Sequence, residues 1–241
     1  MHIPNDVSFA QAAVAADALA TSYRAVVTEA GAKPSMIVGV IGLGGLGMSG
    51  LRFGVFQGAV VISIKFEEAQ RLGARGSFKS LCHGTPLAVT PRGKRLGIDR
   101  NCSNQRGVPA AYRAATVTSR DSLDEAQEVP FNVIVDFTDT GSSTQGALGA
   151  VKEGGKVVVV GLAAKTVTVP TDVLVLRTVA LAGSLGSSTD DLAKVLKLLQ
   201  EGFINRVLWE VSFSDILTSI NTLAKGGVKG RLWADPSKEV E

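Results

Sequence analysis

The stretch MIVGVIGLGGLGMSGLRFGVFQGAVVISI (residues 36–64) decides the fold. An apolar run from Met36 to Ile41 leads into Gly42-Leu43-Gly44-Gly45-Leu46-Gly47. A segment of helical character follows to Gln57, and a second apolar run extends from Ala59 to Ile64. Strand, glycine turn, helix and strand in this order are what a dinucleotide-binding unit requires. Gly42 permits a tight turn out of the strand, Gly44 has no side chain to hold a pyrophosphate away from the backbone, and Gly47 lets the helix pack closely. The first turn of the helix presents N–H groups and a partial positive charge to phosphates. A lone G-x-G-x-x-G also occurs in purely structural turns; the apolar runs on both flanks favour the nucleotide reading.

Working outward, SFAQAAVAADALATSYRAVV (8–27) is Ala-rich and apolar and predicts a buried helix or two, ended by Gly31 and Pro34. On the other side, KFEEAQRLGA (65–74) reads as a short helix. Asn132 to Asp136 and Lys156 to Gly161 are continuous apolar runs of the kind buried on both faces of a parallel sheet, with a helix-like segment, Thr144 to Lys152, between them. Thr178 to Gly183 is a further strand. Ser188 or Thr189 caps a helix whose apolar face is Leu192, Val195, Leu196 and Leu199, and Gly202 ends it. Strands alternating with helices at this spacing predict an α/β fold with a doubly wound, Rossmann-like parallel sheet over about residues 31–204. Residues 1–30 and 205–241 are expected to be short flanking remnants of a second domain.

The segment from His83 to Arg120 breaks the pattern. It holds seven Lys/Arg and one Asp, is punctuated by Pro86, Pro91 and Pro109, and shows neither helix nor strand period. About residues 82–120 therefore read as a basic loop insertion, either a solvated loop or a surface for an acidic partner. The chain's net charge of +3 is too small to point to nucleic acid. Two cysteines make no disulfide framework, so a reducing, cytoplasmic setting is expected. No apolar run reaches the roughly 18 residues of a membrane span, and the N-terminus lacks the pattern of a signal peptide.

ADALATSYRAV, VGVIGLGGLGMSGLRFGVFQGA, KFEEAQRLGA, NVIVDF, ALGAVKEGGKVVVVGL, TVALAGSLGSS and GGVKGRLW, taken in order, resemble the zinc-type alcohol dehydrogenases of the medium-chain dehydrogenase/reductase superfamily. The resemblance covers most of the chain outside 82–120. It implies NAD or NADP as cofactor, zinc in the parent family, an alcohol or aldehyde as small-molecule substrate, and pairing of two copies through the edge strand near 178–187. It also implies that this chain corresponds to the cofactor-binding half. The stretch carrying the family's first cysteine ligand and Gly-His-Glu motif has no counterpart here, and neither has the structural-zinc lobe, so zinc is not expected to be retained.

The resemblance assigns roles residue by residue. Gly42, Leu43, Gly44, Gly45, Leu46 and Gly47 form the pyrophosphate turn. Val160, Gly161 and Leu162, with Ser184, line the nicotinamide side through backbone groups; the competing reading is a plain strand-end turn. Thr21 matches a nicotinamide-side contact, against a buried threonine satisfied by its own helix. Lys65 matches a basic residue near the ribose, and Thr138 ends a strand on the adenosine side. Arg231 matches an arginine that reaches the pyrophosphate, against a surface arginine on the last strand. Asp17 stands where the family has a zinc ligand, but it lacks the companions that a zinc site needs and also reads as a helix-associated carboxylate.

Two departures from the family matter for function. The acid that usually follows strand two is missing, since Ile64 runs into Lys65-Phe66; NADP is then as acceptable as NAD. Cys82, His83 and Cys102 sit in the basic loop without a second ligand pair and read as chance placement. The sequence thus leads to an oxidoreductase of the alcohol dehydrogenase family, impaired by truncation. A non-catalytic nucleotide-binding module and a degenerate gene product are the alternatives.

Overall fold

The computed structural model describes residues 1–64, 117–120, 130–204, 208–224 and 231–238. Its centre is a six-stranded sheet built from β1 (Ile37–Ile41), β2 (Val60–Ile64), β3 (Val117–Arg120), β4 (Phe131–Asp136), β5 (Val151–Val159) and β6 (Ala180–Gly183). The strands lie in the order β3-β2-β1-β4-β5-β6, and every neighbouring pair is parallel. The chain starts at the middle of the sheet, winds outward to one edge, then returns to the middle and winds to the other. That is the doubly wound arrangement expected from the apolar runs, and its point of reversal lies between β1 and β4.

Alternate residues of the central strands feed two cores. Val38, Val40, Val133, Val135 and Val158 face a first core with Leu19, Val26, Leu51, Phe53, Val195 and Leu199. Ile41, Ile134 and Val157 face a second, with Phe131, Leu148 and Val179. Burying one such side chain fully contributes roughly 1.5–3 kcal/mol, and both faces of β1 and β4 are covered.

Residues 9–29 form one helical run, α1, capped by a reciprocal Ser8–Gln11 box. It alternates α turns (Phe9–Val14, Ala20–Tyr23) with wider π turns (Ala15–Leu19, Arg24–Glu29). Its alanines allow close approach: Ala15, Ala20 and Ala25 are fully buried. Tyr23 meets Phe53 edge-on at 5.2 Å between ring centroids, which ties α1 to α2 (Gly45–Phe56). The remaining helices are α3 (Ser142–Ala150), α4 (Thr171–Leu176), α5 (Thr189–Gln200) and α6 (Ile216–Ala224). Between β1 and β2, α2 occupies the place the helical segment predicts.

The structure corrects the sequence reading in four places. Val117–Arg120, assigned to the basic loop, pair in parallel with β2 as the outermost strand; Val117 and Thr118 are the β-branched residues that suit such a strand. The helix before β5 stops at Ala150, not Lys152, and β5 begins at Val151. A register irregularity separates the Phe131–Val151 pairing from the Val133–Lys156 pairing, and Gly154, at φ +66°, lies in the excursion. α4 was not anticipated, because its six residues are too short for a helical period. Finally, 205–241 contain a second sheet, in which β7 (Leu208–Glu210) and β8 (Arg231–Trp233) pair in parallel. The expected helix over 65–74 lies outside the described residues.

Candidate nucleotide-binding site

The turn between β1 and α2 owes its shape to three glycines with three different jobs. Gly42 adopts φ +83°, and a Cβ there would lie 2.4 Å from Cγ2 of Thr138. A Cβ on Gly47 would stand 1.7 Å from the carbonyl oxygen of Gly42, so the helix rides directly on its own turn. Gly44 differs from both: it is exposed, and nothing lies within 4 Å of where its Cβ would be. The fold therefore needs Gly42 and Gly47 as glycine, whereas only something brought in from outside would need Gly44 bare. Gly44 is also the N-cap of α2 and no side chain caps this helix, a setting that suits an anion. Leu43 and Leu46 turn their side chains onto the first core, which leaves their main chain to face a ligand.

Two contacts fix the helix that carries this turn. Ser22 of α1 is fully buried, and its Oγ lies 2.8 Å from the Leu46 carbonyl and 2.7 Å from that of Ala18, donating to one at a time. From the far end of the chain, Arg231 on β8 lays its guanidinium over Gly45. A Cβ on Gly45 would be 2.6 Å from Nε and 2.7 Å from Cζ. Nε of Arg231 is buried without a hydrogen-bond partner among the described residues.

The neighbouring turns are stitched to this one at the carboxyl edge of the sheet. Phe137 N–H donates to the Ile41 carbonyl at 3.0 Å, Val160 N–H to the Asp136 carbonyl at 2.8 Å, and Ser184 N–H to the Val159 carbonyl at 2.9 Å. A Cβ on Gly161 would lie 2.4 Å from the carbonyl carbon of Thr138. Thr138 thus sits between Gly42 and Gly161. Leu162 and Leu185 are 87% and 86% exposed, large apolar side chains left open beside these turns. Ser184 is buried, and its Oγ has no hydrogen-bond partner among the described residues.

Gly42 to Gly47, Thr138, Val160, Gly161, Ser184 and Arg231 accordingly belong to one connected edge. Asp17 and Thr21 do not join it through any contact described. Asp17 is exposed and accepts a 3.4 Å hydrogen bond from the buried Thr21, one turn along α1. Among the described residues, no three His, Cys, Asp or Glu side chains group as a metal would require. Lys65, Cys82, His83 and Cys102 lie outside the described residues.

Sequence reasoning passed over two polar centres. Asp136, fully buried, accepts hydrogen bonds from Thr138, Asp139, Ser143 and Thr144; the hydroxyl-rich run TDTGSST (138–144) was its available signal. Asp191, on α5, is the other. Burial by itself raises the pKa of this carboxyl, but hydrogen bonds from Ser188 main chain and side chain, Thr28 and Arg24 outweigh it and hold the group below the usual carboxylate range. It locks α5 to α1.

A six-stranded parallel sheet in this order, opened by a bare glycine turn at the reversal point, defines a Rossmann-type fold. Comparison with known proteins narrows the class. Residues 92–201 match the zinc-binding dehydrogenase family. An alcohol dehydrogenase of Geobacillus stearothermophilus is 25% identical over 235 residues, which cover 95% of this chain and 59% of that protein. A probable cinnamyl alcohol dehydrogenase of Oryza sativa subsp. japonica is 27% identical over 202 residues, 84% of this chain and 47% of that one. Among solved structures, acetophenone reductase from Geotrichum candidum in complex with NAD superposes with a TM-score of 0.71 at 23% identity, over 99% of this chain and 60% of that one. Over most of its length the chain is similar to zinc-type alcohol dehydrogenases of the medium-chain dehydrogenase/reductase superfamily. It spans about half to three fifths of the length of these curated relatives. No helix among the described residues is long and apolar enough to cross a membrane.

Proposed function

We propose that this chain is the NAD(P)-binding half of an oxidoreductase that moves hydride between a nicotinamide cofactor and an alcohol or carbonyl carbon. The observation that carries the reading is the pairing of Gly44, open to solvent at an uncapped helix N-terminus, with the Arg231 guanidinium one residue away over Gly45. A bare backbone, helix N–H groups and a cation are the three things a pyrophosphate uses. Nε of Arg231 and Oγ of Ser184, without hydrogen-bond partners among the described residues, fit a ligand that spans the edge from β1 to β6, because a buried polar atom left unpaired is destabilising.

Bound here, the cofactor would supply the hydride chemistry itself. The chain's part is to hold it: the Gly42–Gly47 turn and Arg231 at the pyrophosphate, Thr138 alongside, and Val160, Gly161, Leu162 and Ser184 toward the nicotinamide. Leu162 and Leu185 give that end an apolar wall. Lys65 is a further proposed contact on the ribose side, with either NAD or NADP accepted. Thr21 is the least supported contact, since Asp17 already engages its hydroxyl. Zinc does not fit the described residues, because Asp17 is exposed and no three His, Cys, Asp or Glu side chains group there.

An alcohol or aldehyde is the proposed substrate class, the cytoplasm the proposed setting, and a homodimer through β6 the proposed assembly. A non-catalytic nucleotide-binding module is the second reading, favoured by the isolation of Asp17. Calorimetric titration with NAD and NADP tests both readings: saturable binding is expected, and no binding overturns them. Turnover of primary alcohols with added zinc separates the enzyme from the module.

A further inference from the structure

Asp136 ends β4 at the point where three strand-end turns meet, and its carboxylate does more than terminate a strand. Oδ1 accepts from Thr138 N–H at 2.9 Å, Thr138 Oγ1–H at 2.8 Å and Asp139 N–H at 3.0 Å. Oδ2 accepts from Ser143 Oγ–H at 2.6 Å and Thr144 Oγ1–H at 3.0 Å, both on the first turn of α3. Five donors are one more than the roughly four lone-pair sites of a carboxylate, so its acceptor capacity is fully used. The Asp136 carbonyl meanwhile accepts from Val160 and Gly161, so one residue grips the turns after both β4 and β5.

The gripped turn has a steric purpose. Thr138 fills the space that side chains on Gly42 and Gly161 would need, with its methyl group at Gly42 and its main chain at Gly161. Asp139 sits at φ +47°, which a non-glycine residue keeps only when its surroundings impose it, and its N–H is one of the five donors. Removing the carboxylate frees Thr138 and lets this backbone relax.

We propose that Asp136 is a positioning residue for the cofactor cleft: through its five hydrogen bonds it holds Thr138 as a wedge that keeps the Gly42 and Gly161 turns in fixed relation. The cofactor role of those turns rests on the function proposed above; the wedge itself does not. Asn at 136 preserves the geometry, because its carbonyl can serve the three donors at Oδ1 while the Ser143 and Thr144 hydroxyls accept from its amide.

The test uses the full chain as parent, Asp136→Asn, Asp136→Ala and Thr138→Ala. Amide hydrogen exchange without cofactor is followed by mass spectrometry, and NAD and NADP binding by calorimetry well below each melting temperature. In Asp136→Ala and Thr138→Ala, faster exchange is expected at 42–47 and 160–162 as well as at 137–141, and cofactor binding weaker by about tenfold or more, the loss of one or two charge-assisted contacts. Asp136→Asn should restore both. If Asp136→Ala does not fold, Thr138→Ala carries the readout at 42–47, where the lost methyl group faces Gly42. Exchange changes confined to 136–141, or unaltered affinity in folded Thr138→Ala, overturn the proposal. If the parent binds neither nucleotide, the function proposed above fails, and the exchange measurement still decides the wedge.

Discussion

The guanidinium of Arg231 lies over Gly45, with Nε 2.6 Å from the position a Cβ would take there. Residues 186 positions apart thus define one surface. The glycine fingerprint requires glycine at 42, 44 and 47; position 45 is one of its variable places, and here an arginine from β8 occupies the room that the fourth glycine leaves. Gly45→Ala is expected to push Arg231 aside, and Arg231→Ala to remove it. Each should weaken NAD or NADP binding by about 1.5–3 kcal/mol, the worth of a hydrogen-bonded charge. The double variant should be no worse than Arg231→Ala alone. Calorimetric titration of the three variants measures this, and additive losses would separate the two residues.

Gly47→Ala should be the most damaging single change in the turn, because the added carbon meets a main-chain oxygen at 1.7 Å that cannot move without moving the turn. Gly42→Ala combines φ +83° with a clash against Thr138. Overpacking and backbone strain of these kinds cost about 1–3 kcal/mol each, or more when combined. Denaturant unfolding is expected to show both losses without any cofactor present; a Gly47→Ala variant as stable as the parent contradicts the geometry.

Ser184→Ala separates stability from binding. The Oγ is buried and unpartnered among the described residues, so its removal should leave the free protein unchanged or slightly stabilised. NAD(P) affinity should fall by about 1 kcal/mol if the hydroxyl meets the ligand. A drop in melting temperature on removing this hydroxyl would show that it is already satisfied.

Asp191 predicts a pH dependence. Its hydrogen bonds from Ser188, Thr28 and Arg24 hold its folded pKa below the unfolded carboxylate value of about 3.9. A depressed carboxyl stabilises the fold above the unfolded value, and that contribution disappears as pH falls through the folded value. Asp191→Asn should therefore cost about 2–4 kcal/mol near neutrality, since it unpairs a buried network. The gap between variant and parent should close in acid. A gap that is constant from pH 7 to pH 3 contradicts the assignment.

How much of this was legible in the sequence depends on the range of the forces involved. β1, β2 and β4 announce themselves as apolar runs because both their faces are covered, and the jobs of Gly42, Gly44 and Gly47 follow from local backbone needs. The short pieces were hidden. β3 is four residues long and α4 six, and neither is long enough to show a period. The geometry of the candidate site followed from local residues where one segment builds it, and needed the family resemblance where distant segments meet. Arg231 was reached through the family resemblance alone, since nothing near Gly45 points to it, and for Asp136 the one signal was the hydroxyl-rich run TDTGSST that follows it.

The measurement that bears most directly on the central claim compares the parent with Gly44→Val. A Cβ there meets nothing within 4 Å, and Val is a poorer N-cap than Gly, so stability without cofactor should fall by no more than about 1 kcal/mol. Calorimetric titration with NAD and NADP should show saturable binding to the parent and a loss of at least about tenfold in the variant, because the pyrophosphate must approach bare backbone. Equal affinity in both proteins, or binding to neither, would contradict the assignment of this turn as the cofactor's seat.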